Sequence, residues 1–329
     1  MLNILRLEFL LVIRSGSHVV LAALNNGFEV TIFDDLSTGC IENLHPKAKF
    51  FNGSTCSKSD LAELFKNNNF DCVIHLAARK AAGESMEKPI LYSENNIIGS
   101  LNLINACHHN RVKFFIFSST AAIYGEPKYI PIDEKHPVSP VNYYGYSKLV
   151  IEENLKWFCS LNNMRYASLR YFNAAGYDIN GNVSSLEINP QNLIPIVMEA
   201  ALGIRSKVEI FGNNFGTKDG TGVRDYVHVS DLARAHLDVI EYISNRNENI
   251  IINLGTGKGH SVLEIINKVI EISRINIGYT IVDRRIGDPD IVIAKAELAE
   301  NLIGWDGYNS NLDSIIKSTW DVYKTKLKN

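Results

Sequence analysis

Short apolar runs of strand length alternate along the first half of the chain with longer stretches whose apolar residues recur at helical spacing. Residues 28–33 form a β-branched and aromatic run that ends on Asp34 and Asp35. Residues 71–75, 113–118 and 165–172 read the same way, and helical patterns occupy 17–26, 59–67, 95–108 and 144–161 between them. Strand-length runs spaced by helix-length segments predict βαβ units and a parallel sheet. Ligands of such sheets gather at the carboxyl ends of the strands. The places to search therefore lie just after Phe33, His75, Ser118 and Phe172.

Beyond residue 175 the pattern loosens. Two stretches, 211–225 and 284–290, are rich in glycine and charge, and helical periodicity returns at 230–244, 261–272 and 312–324. The expected fold class is α/β, a Rossmann-like doubly wound parallel sheet with a smaller C-terminal substrate-binding lobe. The sheet domain is expected over 1–175 with return segments from about 228–257, and the lobe over most of 176–329.

Composition narrows the function. The 329 residues are 46% hydrophobic and 21% charged, which is globular rather than disordered. Lys plus Arg is 33 and Asp plus Glu is 36, a net charge of −3, so no whole-chain basic field exists to hold a nucleic acid. The early apolar run Phe9-Leu10-Leu11-Val12-Ile13 is far shorter than the ~20 residues of a membrane helix. It is also too short for a signal-peptide core. Cys40, Cys56, Cys72, Cys107 and Cys159 are scattered and odd in number. That pattern suits buried or half-buried thiols in a reducing cytoplasm better than a disulfide framework or a zinc site. No histidine spacing suggests a metal, and the adjacent His108 and His109 point two ways on a helix.

The strongest local chemistry is Tyr144-Gly145-Tyr146-Ser147-Lys148. Tyr144 and Lys148 lie four apart on a helix and share a face. A nearby ammonium favours a phenolate, and such a pair can take a proton from a sugar hydroxyl or return it to a carbonyl. Ser118-Ser119-Thr120 follows a strand, so Thr120 can hydrogen-bond the oxygen that Tyr144 deprotonates. Asp34, at a strand end, suits ribose hydroxyls and repels a 2′-phosphate, which favours NAD over NADP. Arg224 in a glycine-rich loop, with Arg284 and Arg285 beside Asp288, suits a diphosphate. Taken singly, the plain alternatives are an exposed helix pair, a helix N-cap, a turn acid and surface ion pairs.

Together these residues resemble the UDP-glucose 4-epimerases, within the extended short-chain dehydrogenase/reductases. The resemblance runs from Gly16 to Trp305. It rests on segments such as Phe33-Asp34-Asp35-Leu36-Ser37-Thr38-Gly39, Lys80-Ala81-Ala82-Gly83-Glu84-Ser85 and Leu169-Arg170-Tyr171-Phe172-Asn173. Asp219-Gly220-Thr221-Gly222-Val223-Arg224-Asp225-Tyr226 and Arg285-Ile286-Gly287-Asp288-Pro289 complete it. It implies Thr120, Tyr144 and Lys148 as the catalytic group. NAD would be held by Asp34, Asp35, Leu36, Ser37, Thr38, Gly39, Ser54, Thr55, Leu76, Ala77, Ala78, Lys80, Asn95 and Phe172, with the catalytic trio. A UDP-hexose would meet Thr120, Tyr144, Asn173, Asn192, Leu193, Phe211, Arg224, Arg285 and Asp288. Val292 would stand where the family adjusts room for an N-acetyl group. A homodimer, paired through a helix bundle, is the family default.

One departure is large. The family starts with a strand and a T-G-G-x-G-Y-I-G loop, whose glycines admit the NAD pyrophosphate; the matching region here is residues 6–16, and of the glycines only Gly16 remains. Side chains where bare backbone is needed should block the phosphates, and Glu8 adds like-charge repulsion. Such abrupt loss and recovery of a pattern is what a local change of reading frame leaves. A second departure is Ser54, which stands in place of an acid expected to meet adenine. The reading is an NAD-dependent interconversion of UDP-glucose and UDP-galactose through a 4-keto sugar. The rivals are a non-catalytic nucleotide-sugar binder and a nucleotide-sugar 4,6-dehydratase. Ala121 and Ala122 oppose the dehydratase, because those enzymes carry Asp-Glu directly after the threonine.

Overall fold

A computed structural model describes residues 8–12, 16–37, 39–187, 189–285 and 287–326. The chain forms two compact units. One comprises Met1–Ile123, Pro140–Arg170 and Ala233–Ile252, and the other Tyr124–Ser139, Tyr171–Leu232 and Asn253–Asn329.

The strands are β1 (Glu8–Val12), β2 (Glu29–Asp34), β3 (Lys49–Asn52), β4 (Cys72–His75), β5 (Phe114–Thr120), β6 (Arg165–Tyr171), β7 (Asn173–Ala175), β8 (Val208–Phe211), β9 (Val223–His228), β10 (Ile250–Leu254), β11 (Gly259–Ser261), β12 (Tyr279–Val282) and β13 (Ile291–Val292). The α-helices are α1 (Ser17–Asn25), α2 (Lys58–Lys66), α3 (Ala82–Glu87), α4 (Pro89–Tyr92), α5 (Gly99–His109), α6 (Tyr143–Leu161), α7 (Leu193–Ala201), α8 (Val229–Arg246), α9 (Val262–Ser273), α10 (Glu297–Ile303) and α11 (Leu312–Lys326).

The first unit is built on a seven-stranded sheet ordered β10-β6-β5-β4-β1-β2-β3. The pairs β1–β2, β1–β4, β2–β3 and β4–β5 are parallel. Strand order reverses at β1, where a doubly wound sheet opens its ligand crevice. The strands expected at 28–33, 71–75, 113–118 and 165–172 are β2, β4, β5 and β6, each within a residue or two of its expected ends. Their faces are buried on both sides, as in the unbroken burial of Cys72 to His75. Phe33, Val73, Phe115 and Phe117 meet Leu61, Leu64 and Phe65 of α2, Leu103, Ile104 and Cys107 of α5, and Ile151, Leu155 and Cys159 of α6 in one core. Each such side chain contributes about 1.5–3 kcal/mol on burial.

Local chemistry sets several helix starts. The Ser57 hydroxyl accepts from Asp60 N at 3.2 Å to cap α2. Ser261 and Glu264 form a capping box on α9. The fifth helix begins later than its apolar pattern implies, because a π-helical stretch, Ser93–Ile98, precedes it.

In the second unit β7 and β13 run parallel to β9 while β11 runs antiparallel to it, and β8 pairs with β12. Ile194, Val197 and Met198 of α7, Ile265, Ile266 and Val269 of α9, and Ile315, Ile316 and Trp320 of α11 share its core. Residues 124–139 lie inside the stretch that the sequence reading gives to the sheet domain, yet they belong to this unit. The reason is a two-way backbone link: Ile132 N donates to Ile293 O at 2.8 Å, and Lys295 N to Ile132 O at 2.7 Å. Among the described residues no helix is long and apolar enough to cross a membrane.

Candidate active site

Tyr144, Lys148 and Thr120 come together within the first unit. Asn142 caps α6 by accepting from Gly145 N at 2.8 Å. Tyr144 thus stands in the first turn, one turn before Lys148. Ser85 holds that turn from outside, its Oγ accepting from Tyr144 N at 3.0 Å. Gly145 allows the helix to lie against the residues after β5, since a Cβ there would fall 2.5 Å from the Ala122 carbonyl oxygen. Thr120 ends β5, and its hydroxyl is near enough to the Tyr144 phenol to act on it, pulling it down. Lys148 is 2% exposed and donates from Nζ to Ser118 O at 2.7 Å. Its ammonium lies 4.8 Å from the centre of the Phe117 ring.

Burial dominates the electrostatics here. It raises the Tyr144 phenol, opposed by the Thr120 hydroxyl. It also lowers Lys148 to about 7, opposed by the Glu152 charge. Burial of the phenolate is the larger influence on Tyr144, and the Lys148 ammonium is engaged by Ser118 O. His75, at the end of β4, is lowered to about 3 by burial and then by the Lys148 charge.

A cleft of about 420 Å³ opens beside Asp35, Ser37, Ser54, Arg79, Glu94 and Asn95. Backbone turns shape its floor. Asp34 accepts from Leu36 N at 2.6 Å and Asp35 from Ser37 N at 2.9 Å, with Leu36 at φ +54°. A Cβ on Gly39 would fall 3.3 Å from the Asp34 carboxylate. Ser54 N donates to Asp60 at 3.0 Å, and Thr55 O accepts from Asn102 at 3.2 Å. Leu76, Ala77 and Ala78 are half-buried after β4, and Lys80 is exposed. Asn95 lies on the π-helical stretch, its amide donating to Leu91 O at 3.1 Å. Thr38 lies outside the described residues.

A second cluster forms within the other unit. The Arg285 guanidinium lies 3.7 Å from the centre of the Phe211 ring. Arg224 approaches Asp288 at 3.9 Å and pairs in register with Val292. Burial pulls the Arg224 guanidinium down, opposed by Asp288. Arg284 has other partners: it bonds Asp290 at 2.7 Å and lies 3.9 Å from the Phe215 ring. Asn192 is the N-cap of α7, Leu193 is its first residue, and Asn173 is exposed on β7. Phe172 is buried, its N donating to Leu254 O at 3.3 Å.

The sequence profile of the NAD dependent epimerase/dehydratase family matches residues 15–255. The chain belongs to that family. It is 40% identical over 309 residues to a UDP-glucose 4-epimerase of Halalkalibacterium halodurans, covering 94% of this chain and 92% of the relative. A UDP-glucose 4-epimerase of Lactobacillus helveticus is 37% identical over 313 residues, 95% of each chain. The crystal structure of UDP-glucose 4-epimerase from Bifidobacterium longum in complex with NAD⁺ and UDP superposes with a TM-score of 0.91 at 35% identity, covering 98% and 99% of the two chains.

Two features bear on how a member of this family holds its dinucleotide. The cleft beside β2 and β4 suits an adenosine, with carboxylates for ribose hydroxyls and small side chains beside them. Arg79, absent from the residues singled out in the sequence, lines the cleft with a buried Nε that has no hydrogen-bond partner. Asn96 fixes its backbone, accepting from Arg79 N at 2.8 Å and donating to Arg79 O at 3.0 Å. A search for cations just past strand ends finds it. Residues 9–12, within the 6–16 region that matches the family's first strand and glycine loop, pair as strand with both β2 and β4. The next three, 13–15, lie outside the described residues, and Gly16 is the N-cap of α1.

Proposed function

We propose that this chain is an NAD-dependent epimerase that interconverts UDP-glucose and UDP-galactose through a 4-keto sugar. The observation that carries the reading is the buried contact of Thr120 with Tyr144, with Lys148 one turn away. NAD⁺, when bound, supplies the acceptor and donor of the C4 hydride. Tyr144 takes the proton of the sugar 4-OH and returns it after the sugar has turned. Thr120 steadies that oxygen by its hydroxyl. Lys148 contributes a positive charge that favours the phenolate and donates to the nicotinamide ribose. Asp34, Asp35, Ser37 and Ser54 hold the adenosine, and Arg79 contributes a guanidinium beside it. Arg224, Arg285 and Asp288 hold the diphosphate, while Asn173, Asn192, Leu193 and Phe211 seat the uridine and sugar. Val292, a small residue, leaves room for an N-acetyl group. Trp157 and Leu161, 67% and 75% exposed on α6, support a homodimer formed through that helix. A cytoplasmic site follows from the five free thiols.

A second reading has one observation in its favour. Because residues 9–12 are paired strand, a chain that binds UDP-sugars yet holds NAD poorly is the alternative. The test is the NAD released on denaturing the purified protein, with a coupled assay of UDP-galactose conversion. Both are run beside a variant in which Leu10, Leu11 and Ile13 are replaced by glycine. NAD and turnover in the unaltered chain support the epimerase. UDP binding without either supports the alternative, and turnover in the glycine variant alone locates the defect in cofactor binding.

A further inference from the structure

The active-site helix carries a third polar residue on the same face, and the reaction as assigned leaves it unused. Glu152 lies one turn beyond Lys148 and two beyond Tyr144, and it is 2% exposed. Its carboxylate accepts from the Ser119 hydroxyl in a short contact. It also accepts from Arg170 on β6, Nε at 3.0 Å to Oε1 and Nη2 at 2.6 Å to Oε2. Arg170 is itself 6% exposed, so the pair is closed off from water.

A buried ion pair is weak evidence for stability, since apolar residues of similar volume commonly serve as well. Its placement suggests another role. Three rungs join α6 to the end of β5 in order along the helix: Tyr144 to Thr120, Lys148 to Ser118 O, and Glu152 to Ser119. The last rung pins the residue between the other two acceptors. A Glu152 that let go of Ser119 would free the strand end that carries both Thr120 and the carbonyl under Lys148.

We propose that Glu152, held by Arg170 and Ser119, is a positioning residue for the reaction: it fixes the strand end on which Lys148 and Thr120 meet Tyr144. The inference rests on the assignment of Tyr144 and Lys148 made above. The groups facing Lys148 are few. From α6 they are Tyr144 and Glu152, from β4 His75, held uncharged by burial, from β5 the Phe117 ring, and from β6 Arg170, which is paired with Glu152. Among the described residues named here Glu152 is the one anion, and its charge opposes the effect of burial on Lys148.

The test uses the NAD-loaded protein and the substitutions Glu152→Gln, Ser119→Ala and Tyr144→Phe. Turnover and KM for UDP-galactose are measured against pH. Lys148 is titrated by NMR of isotope-labelled lysine, its signal identified by its loss in Lys148→Met. In Glu152→Gln we expect kcat to fall at least about tenfold with KM held within about twofold, and the Lys148 midpoint to drop by about one pH unit. The alkaline limb of kcat should move with that midpoint. Ser119→Ala should lower kcat without moving it. Where Glu152→Gln does not fold, the paired change Glu152→Met with Arg170→Met removes both charges at once and is read the same way, with the same midpoint shift expected. An unmoved Lys148 midpoint with kcat within twofold of the parent overturns the proposal. If Tyr144→Phe keeps its turnover, the site assignment itself fails, and that outcome is distinct from a silent Glu152.

Discussion

Replacing Gly145 by alanine asks how much the chemistry depends on the close approach of α6 to the residues after β5. The new Cβ would lie 2.5 Å from the Ala122 carbonyl oxygen, 2.9 Å from its carbon and 3.1 Å from Pro140 Cβ. Favourable carbon contacts settle near 3.5–4.0 Å, so relief of the nearest contact needs roughly 1 Å or more of movement. Two of the three neighbouring atoms are backbone and cannot turn away. Ala122 N is bonded to Thr120 Oγ1 at 3.2 Å, so displacement on that side is felt at Thr120. On the other side the displaced residue adjoins Tyr144. Overpacking costs about 1–3 kcal/mol, and removing a glycine from a helix returns about 1 kcal/mol. The net loss of stability is then about 0–2 kcal/mol. Catalysis is less forgiving, because a misplacement of ~1 Å can cost about 100-fold. We expect Gly145→Ala to fold with a melting temperature within several degrees of the parent, to keep KM for UDP-galactose within about twofold, and to lose about 10- to 100-fold in kcat. Circular dichroism melting and steady-state kinetics on one preparation decide it. A variant that folds normally and keeps kcat within a factor of two would refute the close-approach argument.

Other outcomes follow from the same contacts. Tyr144→Phe should reduce turnover by about 10²–10⁴ while most of the NAD is still released on denaturation, because a proton-transfer group is removed and the adenosine cleft is untouched. Arg79→Leu should weaken NAD binding about tenfold by equilibrium dialysis, and flatten its salt dependence, if the unpartnered Nε serves the dinucleotide; unchanged binding would leave Arg79 to Glu84, 3.9 Å away. His75 bonds Ser100 at 2.7 Å through Nε2, and its Nδ1 is buried without a partner. Its folded value of about 3 lies below the ordinary 6.5. Between those values the unfolded chain binds the extra proton, so stability is intact above 6.5 and falls as pH drops, by up to ~1.4 kcal/mol per unit. His75→Gln should therefore lose less urea stability than the parent between about pH 6.5 and pH 4.5; equal slopes would count against a buried neutral imidazole.

What could be read in the sequence was local, and what escaped it was not. The helix bearing Tyr144 and Lys148 is legible because their four-residue spacing puts both on one face within a turn of each other. The ends of β2, β4 and β5 are legible because runs rich in β-branched and aromatic residues stop at Asp34, His75 and Ser118. By contrast β3, Lys49-Phe50-Phe51-Asn52, is a mostly exposed edge strand whose pattern does not alternate cleanly, and nothing near it names β2 as its partner. Residues 124–139 carry no mark of belonging to the second unit, since Ile132 finds its backbone partners at Ile293 and Lys295. Glu152 and Arg170 are 18 residues apart on different elements, and each alone reads as a solvated charge. Their meeting needs the packing of α6 over β5 and β6, the same packing that brings Lys148 under Ser118. The chemistry-bearing pair was visible because it lies on one helix face. The residues that tune it were hidden because they reach it through the fold, and a substitution at Glu152 or Gly145 therefore tests the structure more sharply than one at Tyr144.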